Sequence, residues 1–78
     1  MFCHNFKRIR KKTGKTQRDI AEYLNISAQS ISKWETGESL PTIDYLPQLA
    51  DLFGCSVNAF FNEEELCRFE NNSIIVYT

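Results

Sequence analysis

Apolar side chains recur along this chain in short bursts at helical spacing, and each burst is closed by a residue that tolerates a left-handed backbone. Phe6 and Ile9, with Phe2 one turn earlier, stripe a basic segment that stops at Thr13-Gly14, predicting a first helix. Ile20, Ala21 and Leu24 form the next stripe. Thr16 offers a side-chain oxygen ahead of it and Asp19 stands three residues on, an approximate capping box. Asn25-Ile26-Ser27 is too short for anything but a tight turn, and Asn is the residue after Gly that best accepts a left-handed conformation. Ser27 can cap the next helix. Ile31 and Trp34 stripe this third helix over Ala28 to Thr36, and Gly37 ends it.

Glu38 to Asp44 reads as a loop containing Pro41. Because Pro47 fits only the first turn of a helix, the fourth N-cap is expected at Asp44, with Leu46, Leu49, Ala50 and Phe53 buried and Gly54 closing the helix. Ser56 is expected to cap a short fifth helix through Val57, Phe60 and Phe61. Asn62-x-x-Glu65 can begin a further turn with Leu66 and Phe69 inward, whereas the β-branched content of Ile74-Ile75-Val76-Tyr77 suits a strand. The pattern predicts an all-α, compact five-helix domain over residues 1–61 and a short tail over 62–78 that adds a helical turn or a strand.

Composition agrees with a folded globule: 42% of the 78 residues are apolar, enough for one small core and no more. No apolar run reaches the roughly 18 residues that cross a bilayer, and MFCHNFKRIRKK lacks a signal peptide's apolar stretch, so a cytoplasmic protein is expected. Cys3, Cys55 and Cys67 are an odd set without CxxC spacing and read as reduced thiols. Cys3-His4 has no second cluster to complete a metal site, so neither metal nor cofactor is expected.

The net charge of −1 hides an asymmetry. Residues 1–37 carry eight Lys and Arg against three Asp and Glu, 8 − 3 = +5. Residues 38–78 carry one against seven, 1 − 7 = −6. A basic half suits phosphates, and an acidic half faces away or faces a partner. The third predicted helix presents Ala28, Gln29, Ser32 and Lys33 on its outer side, polar but nearly uncharged, where mere solubility would favour Glu and Lys. Two short helices joined over Asn25 to Ser27, with small Ala21 at the crossing and Ile20, Leu24, Ile26, Ile31 and Trp34 as shared core, have the anatomy of a helix-turn-helix.

TQRDIAEYLNISAQSISKWETGESLP followed by LPQLADLFGCSVNAFF resembles the lambda-repressor-like (Cro/XRE-type) helix-turn-helix family, over about Phe6 to Phe61. Asn25 stands where that family usually has glycine. The resemblance implies that the third helix enters the major groove of duplex DNA while the second lies across the backbone. Gln29 can then pair bidentately with adenine N6 and N7, Ala28 can meet a thymine methyl, Lys33 can reach guanine, and Ser32 can reach an edge or a water. Gln17, Ser27, Ser30, Thr36, Ser39 and Tyr45 are the expected phosphate contacts, which set register without reading sequence. By the same resemblance Arg10 and Glu35 form an internal ion pair between the first and third helices, and Trp34 belongs to the core.

With one His, no paired carboxylates in an apolar setting and no Gly-rich phosphate loop, an enzyme is not expected. The implied function is a transcription regulator, a repressor, working as a homodimer on a pseudo-palindromic operator, with no small-molecule ligand. Phe60, Phe61, Leu66, Phe69 and the segment 74–77 offer apolar surface for the dimer contact. The alternatives are a protein-interaction module and an antitoxin-like protein that binds a second protein through its acidic half.

Overall fold

The computed structural model describes residues 2–75, which form five α-helices and one 3-10 turn, with no strand among the described residues. They are α1 (Phe2–Thr13), α2 (Gln17–Leu24), α3 (Ala28–Thr36), α4 (Tyr45–Phe53), the 3-10 turn Val57–Phe60, and α5 (Glu63–Ile75). The fold is all-α and lambda-repressor-like.

The junctions are set by local chemistry. At the start of α2, Thr16 Oγ1 accepts from the Asp19 N–H at 3.0 Å while the Asp19 carboxylate accepts from the Thr16 N–H at 2.9 Å, so two orphan donors are satisfied reciprocally. These hydrogen bonds hold the Asp19 pKa below its ordinary value of 3.8. A depressed folded pKa means stability that is present above the unfolded value and lost as pH falls through the folded one. Asp19→Asn should therefore flatten the acid limb of a Tm-against-pH curve. An unchanged limb would show that the box carries none of it.

Asn25 closes α2 at φ 60°, ψ 46°, and it alone among the described non-glycine residues has a positive φ. Ser27 then starts α3, its Oγ accepting from the Ser30 N–H at 3.3 Å. Gly37 ends α3 at φ 85°, with Cys3 Sγ 3.6 Å from where a Cβ would stand. Substitution there meets backbone strain before it meets crowding.

Asp44 and Ser56 stand at the N-cap positions expected of them, but neither side chain caps. Asp44 makes no side-chain cap; α4 winds up instead from a turn in which the Tyr45 and Leu46 N–H groups donate to the Thr42 and Ile43 carbonyls. Ser56 likewise makes no side-chain cap, and the helix after it is a single 3-10 turn that stops at Phe60, leaving Phe61 outside. The short link between the end of α4 and the start of α5 holds only one tight turn.

Ile74 and Ile75 lie in α5 rather than in a strand; Val76 and Tyr77 fall outside the described residues. Asn62 Oδ1 accepts from the Glu65 N–H at 3.0 Å, and Glu63, Glu64 and Glu65 put negative charge at the positive end of the helix dipole. Once nucleated, propagation costs less than the modest β preference of two isoleucines.

The core is one cluster. Phe2, Phe6, Phe53 and Phe60 are packed ring on ring, Trp34 meets Phe6 edge-on at 6.0 Å, and Leu49, Ile9, Ile20, Ile31 and Leu66 are fully enclosed with them. Phe60 and Leu66 are thus used up inside the protomer and offer no surface to a second copy. Buried Asn5 donates from Nδ2 to the Ala59 carbonyl, tying α1 to the 3-10 turn. Arg8 binds α5 from α1, with Nη2 to Glu70 Oε1 at 2.6 Å and Nη1 to Glu63 Oε1 at 2.8 Å, and these carboxylates push its pKa further up.

Burial separates the three thiols. Cys67 is exposed, Cys3 and Cys55 are half-buried, and desolvation pushes the Cys55 thiol up to about 11. The thiolate is the nucleophile, so iodoacetamide at neutral pH should alkylate Cys67 first and Cys55 last by mass spectrometry. Equal rates at the two would mean that the α4–α5 junction opens freely.

Candidate nucleic-acid interface

α3 is held by α1 and α2, and what it leaves outside is the candidate site. Ile31 and Trp34 are buried, pinning its inner face against α1 and α2. Glu35, at 4% side-chain exposure, accepts from Arg10 Nε at Oε2 and from Arg10 Nη2 at Oε1, the latter at 3.1 Å. Arg10 itself is 14% exposed and donates from Nη1 to the Lys15 carbonyl at 3.0 Å. This fork ties α1, the turn before α2 and α3 together.

Of the residues expected to read bases, Ala28, Gln29 and Lys33 are exposed and Ser32 is half-buried. α3 carries one carboxylate, that of Glu35, and it is turned inward. The outward side of the helix therefore holds an amide, a hydroxyl and an ammonium with no negative charge among them.

The residues expected at phosphates are placed more variously. Ser27, Thr36 and Ser39 are exposed; Ser30 is half-buried and shares a hydrogen bond with Ser27 Oγ at 3.1 Å. Thr36 Oγ1 donates back to the Lys33 carbonyl at 3.2 Å. The half-buried ring of Tyr45 leans on Trp34 at 5.7 Å. Gln17 is half-buried, and its Nε2 donates to Glu35 Oε1 at 3.1 Å.

Along the flank of α3 runs a groove of about 350 Å³ floored by Ile26, Trp34 and Tyr45 and walled by Ser30, Lys33, Ser39, Leu40, Pro41 and Thr42. No carboxylate lines it. Leu40, Pro41 and Thr42 come to this groove from a loop without apolar period that leaves close to the end of α3.

Three of the eight basic side chains in the first half are already engaged: Arg8 with α5, Arg10 with Glu35 and Arg18 with Glu22 at 3.5 Å. Lys7, Lys11, Lys12, Lys15 and Lys33 form no ion pair among the described residues. Through Arg8 and Arg10 the charge asymmetry is partly spent in joining α1 to α5 and to α3. What stays unpaired is lysine.

A helix turned through a left-handed asparagine onto a second helix with an uncommitted polar side defines a helix-turn-helix protein. The chain belongs to the helix-turn-helix family, of the Cro/XRE type, whose model matches residues 6–60. It is similar to RstR, a cryptic phage CTXphi transcriptional repressor of Vibrio cholerae, at 40% identity over 58 residues, 74% of this chain and 46% of that protein. BcrR of Enterococcus faecalis, an HTH-type transcriptional activator, is 37% identical over 57 residues, 70% of this chain and 28% of that protein. DicA of Escherichia coli K12, an HTH-type transcriptional regulator, is 45% identical over 47 residues, 60% of this chain and 35% of that protein. The chain spans less than half the length of each of these three relatives. No solved structure gives a significant match. Among the described residues no helix is long and apolar enough to cross a membrane.

Proposed function

We propose that this chain is a sequence-specific transcription regulator, a repressor, that inserts α3 into the major groove of duplex DNA. The observation that carries this reading is the outward side of α3, where Ala28, Gln29 and Lys33 are exposed while the helix's single carboxylate is folded inward onto Arg10. A carboxylate on that side would meet the negative potential of the groove. The relatives named as transcription regulators support the same reading.

Gln29 reads an adenine through its amide, one donor and one acceptor at matching separation, Ala28 packs on a thymine methyl, and Lys33 reaches guanine O6 or N7. Ser32 bonds a base edge directly or through water. Gln17, Ser27, Ser30, Thr36, Ser39 and Tyr45 hold the sugar-phosphate strand, the last two from the groove beside α3. A domain of this size covers one half-site, so two copies on a pseudo-palindrome, recognition helices about 34 Å apart, complete the operator. For the contact between copies the described residues offer the exposed apolar side chains Leu40, Ile43 and Phe61. Sedimentation that finds only monomer, both free and on DNA, would remove the dimer from this account.

Selection of sites from random duplexes tests the reading. The wild type should enrich a two-fold motif, and Gln29→Ala should lose discrimination at one position per half-site, by about 1–3 kcal/mol. If the wild type enriches no motif at low salt, the protein-interaction reading replaces this one, with the acidic half as the partner surface.

A further inference from the structure

We infer that Glu35 is the positioning residue for Gln17, so that the buried Arg10–Glu35 pair sets the phosphate register of α2 as well as joining α1 to α3. This rests on the proposed DNA reading. Gln17 Nε2 carries two hydrogens, and the structure commits one of them to Glu35 Oε1 at 3.1 Å. The other stays available, as does the backbone N–H that Gln17 carries in the first turn of α2, where no intrahelical acceptor exists.

Glu35 is suited to this task because it is buried and held at both oxygens. Its carboxylate is almost wholly enclosed and gripped at both oxygens by one guanidinium. The same guanidinium holds the Lys15 carbonyl at 3.0 Å, two residues before Gln17, so side chain and approaching backbone are referred to one anchor. A lone carboxylate this close to a phosphate would repel it; paired with Arg10, it presents an acceptor without net charge. A glutamine held in advance also has less rotamer freedom to lose when DNA arrives.

The test uses the full chain and the selected operator, with each phosphate replaced in turn by a neutral methylphosphonate. Wild type should lose affinity at one phosphate per half-site, and Gln17→Ala should be insensitive at that phosphate. Exchanging both charges together, Arg10→Met with Glu35→Leu, avoids stranding either one in the core. This double variant should show the weakening of Gln17→Ala, about three- to tenfold, the same insensitivity, and no further loss when Gln17→Ala is added. If it keeps both wild-type affinity and wild-type phosphate sensitivity, the positioning role is overturned while DNA binding stands. If wild type and Gln17→Ala respond alike at every phosphate, the Gln17 contact itself falls, and this inference with it, while base reading by Gln29 does not. A measurement free of variants serves if the double variant fails to fold. In the free wild-type protein, one Gln17 side-chain amide proton should exchange with solvent more slowly than those of Gln29, and equally fast exchange overturns the inference.

Discussion

Glu35→Ala should strip this protein of a large share of its stability at 25 °C. Removing one partner of an enclosed ion pair leaves the other charge desolvated and uncompensated, at about 3–5 kcal/mol. Arg10, 14% exposed, has the Lys15 carbonyl as its remaining partner once the carboxylate is gone. A chain of this size has on the order of 4–12 kcal/mol in total, so the loss takes a large share of it. In urea, with a slope of about 1–3 kcal/mol per molar, the midpoint should fall by more than about 1 M. A drop of less than a few tenths molar would mean that water already reaches the pair. The contrast with Arg10→Met plus Glu35→Leu matters as much as the size of the effect: two charges removed together should cost little stability, because neither is then left buried without its partner.

The second large effect is expected at Leu66→Ala, at about 2–5 kcal/mol. Leu66 is fully enclosed, in the same cluster as Phe6, Trp34 and Phe60, although it belongs to α5. The single tryptophan sits in α3, far along the chain from the substituted position. Trp34 fluorescence and helical circular dichroism should therefore shift together to lower denaturant, as one cooperative transition. If α5 were an appendage, the dichroism would change and the Trp34 transition would stay where it was. Arg8, bound to Glu63 and Glu70, adds a part-exposed attachment for the same helix, of the kind that contributes little alone.

Much of this fold was legible in the sequence because its punctuation is local. Thr16 with Asp19, Asn25, Ser27, Gly37 and Gly54 act within four residues of themselves, and the structure has each where the pattern placed it. The misreadings were at places where a local signal competed with something longer in range. Ile74 and Ile75 carry a β preference that a capped helix, already running through Leu66, overrides. Asp44 and Ser56 occupy the N-cap positions read for them, yet their side chains make no cap hydrogen bond, and the helix after Ser56 is only a 3-10 turn. Phe60 and Leu66 read equally well as core or as contact surface, since hydrophobicity does not say which copy of the chain will cover it.

At the interface, the residues of α3 could be sorted into inward and outward by period alone, and Ala28, Gln29 and Lys33 do lie outside. The hydrogen bond from Gln17 to Glu35 was not visible in that way. It joins residues 18 apart, and it depends on a carboxylate oxygen shared with Arg10, which no spacing rule encodes. The groove beside α3 was hidden for a similar reason, because its walls come from a loop without periodicity.

The brevity of α3 limits how much information one copy can extract from DNA. From Ala28 to Lys33 the helix rises about 7.5 Å, which with side-chain reach spans roughly two to four base pairs. At two bits for each fully specified pair, one copy supplies about 4–8 bits and a symmetric pair about 8–16, whereas picking one address from roughly a million competing sites takes about 20. Under the proposed reading, the stiffness of the untouched base pairs between half-sites and several operators side by side are two sources that can supply the shortfall. A regulator built on a nine-residue reading helix is, in this sense, an element of an address rather than the whole of it.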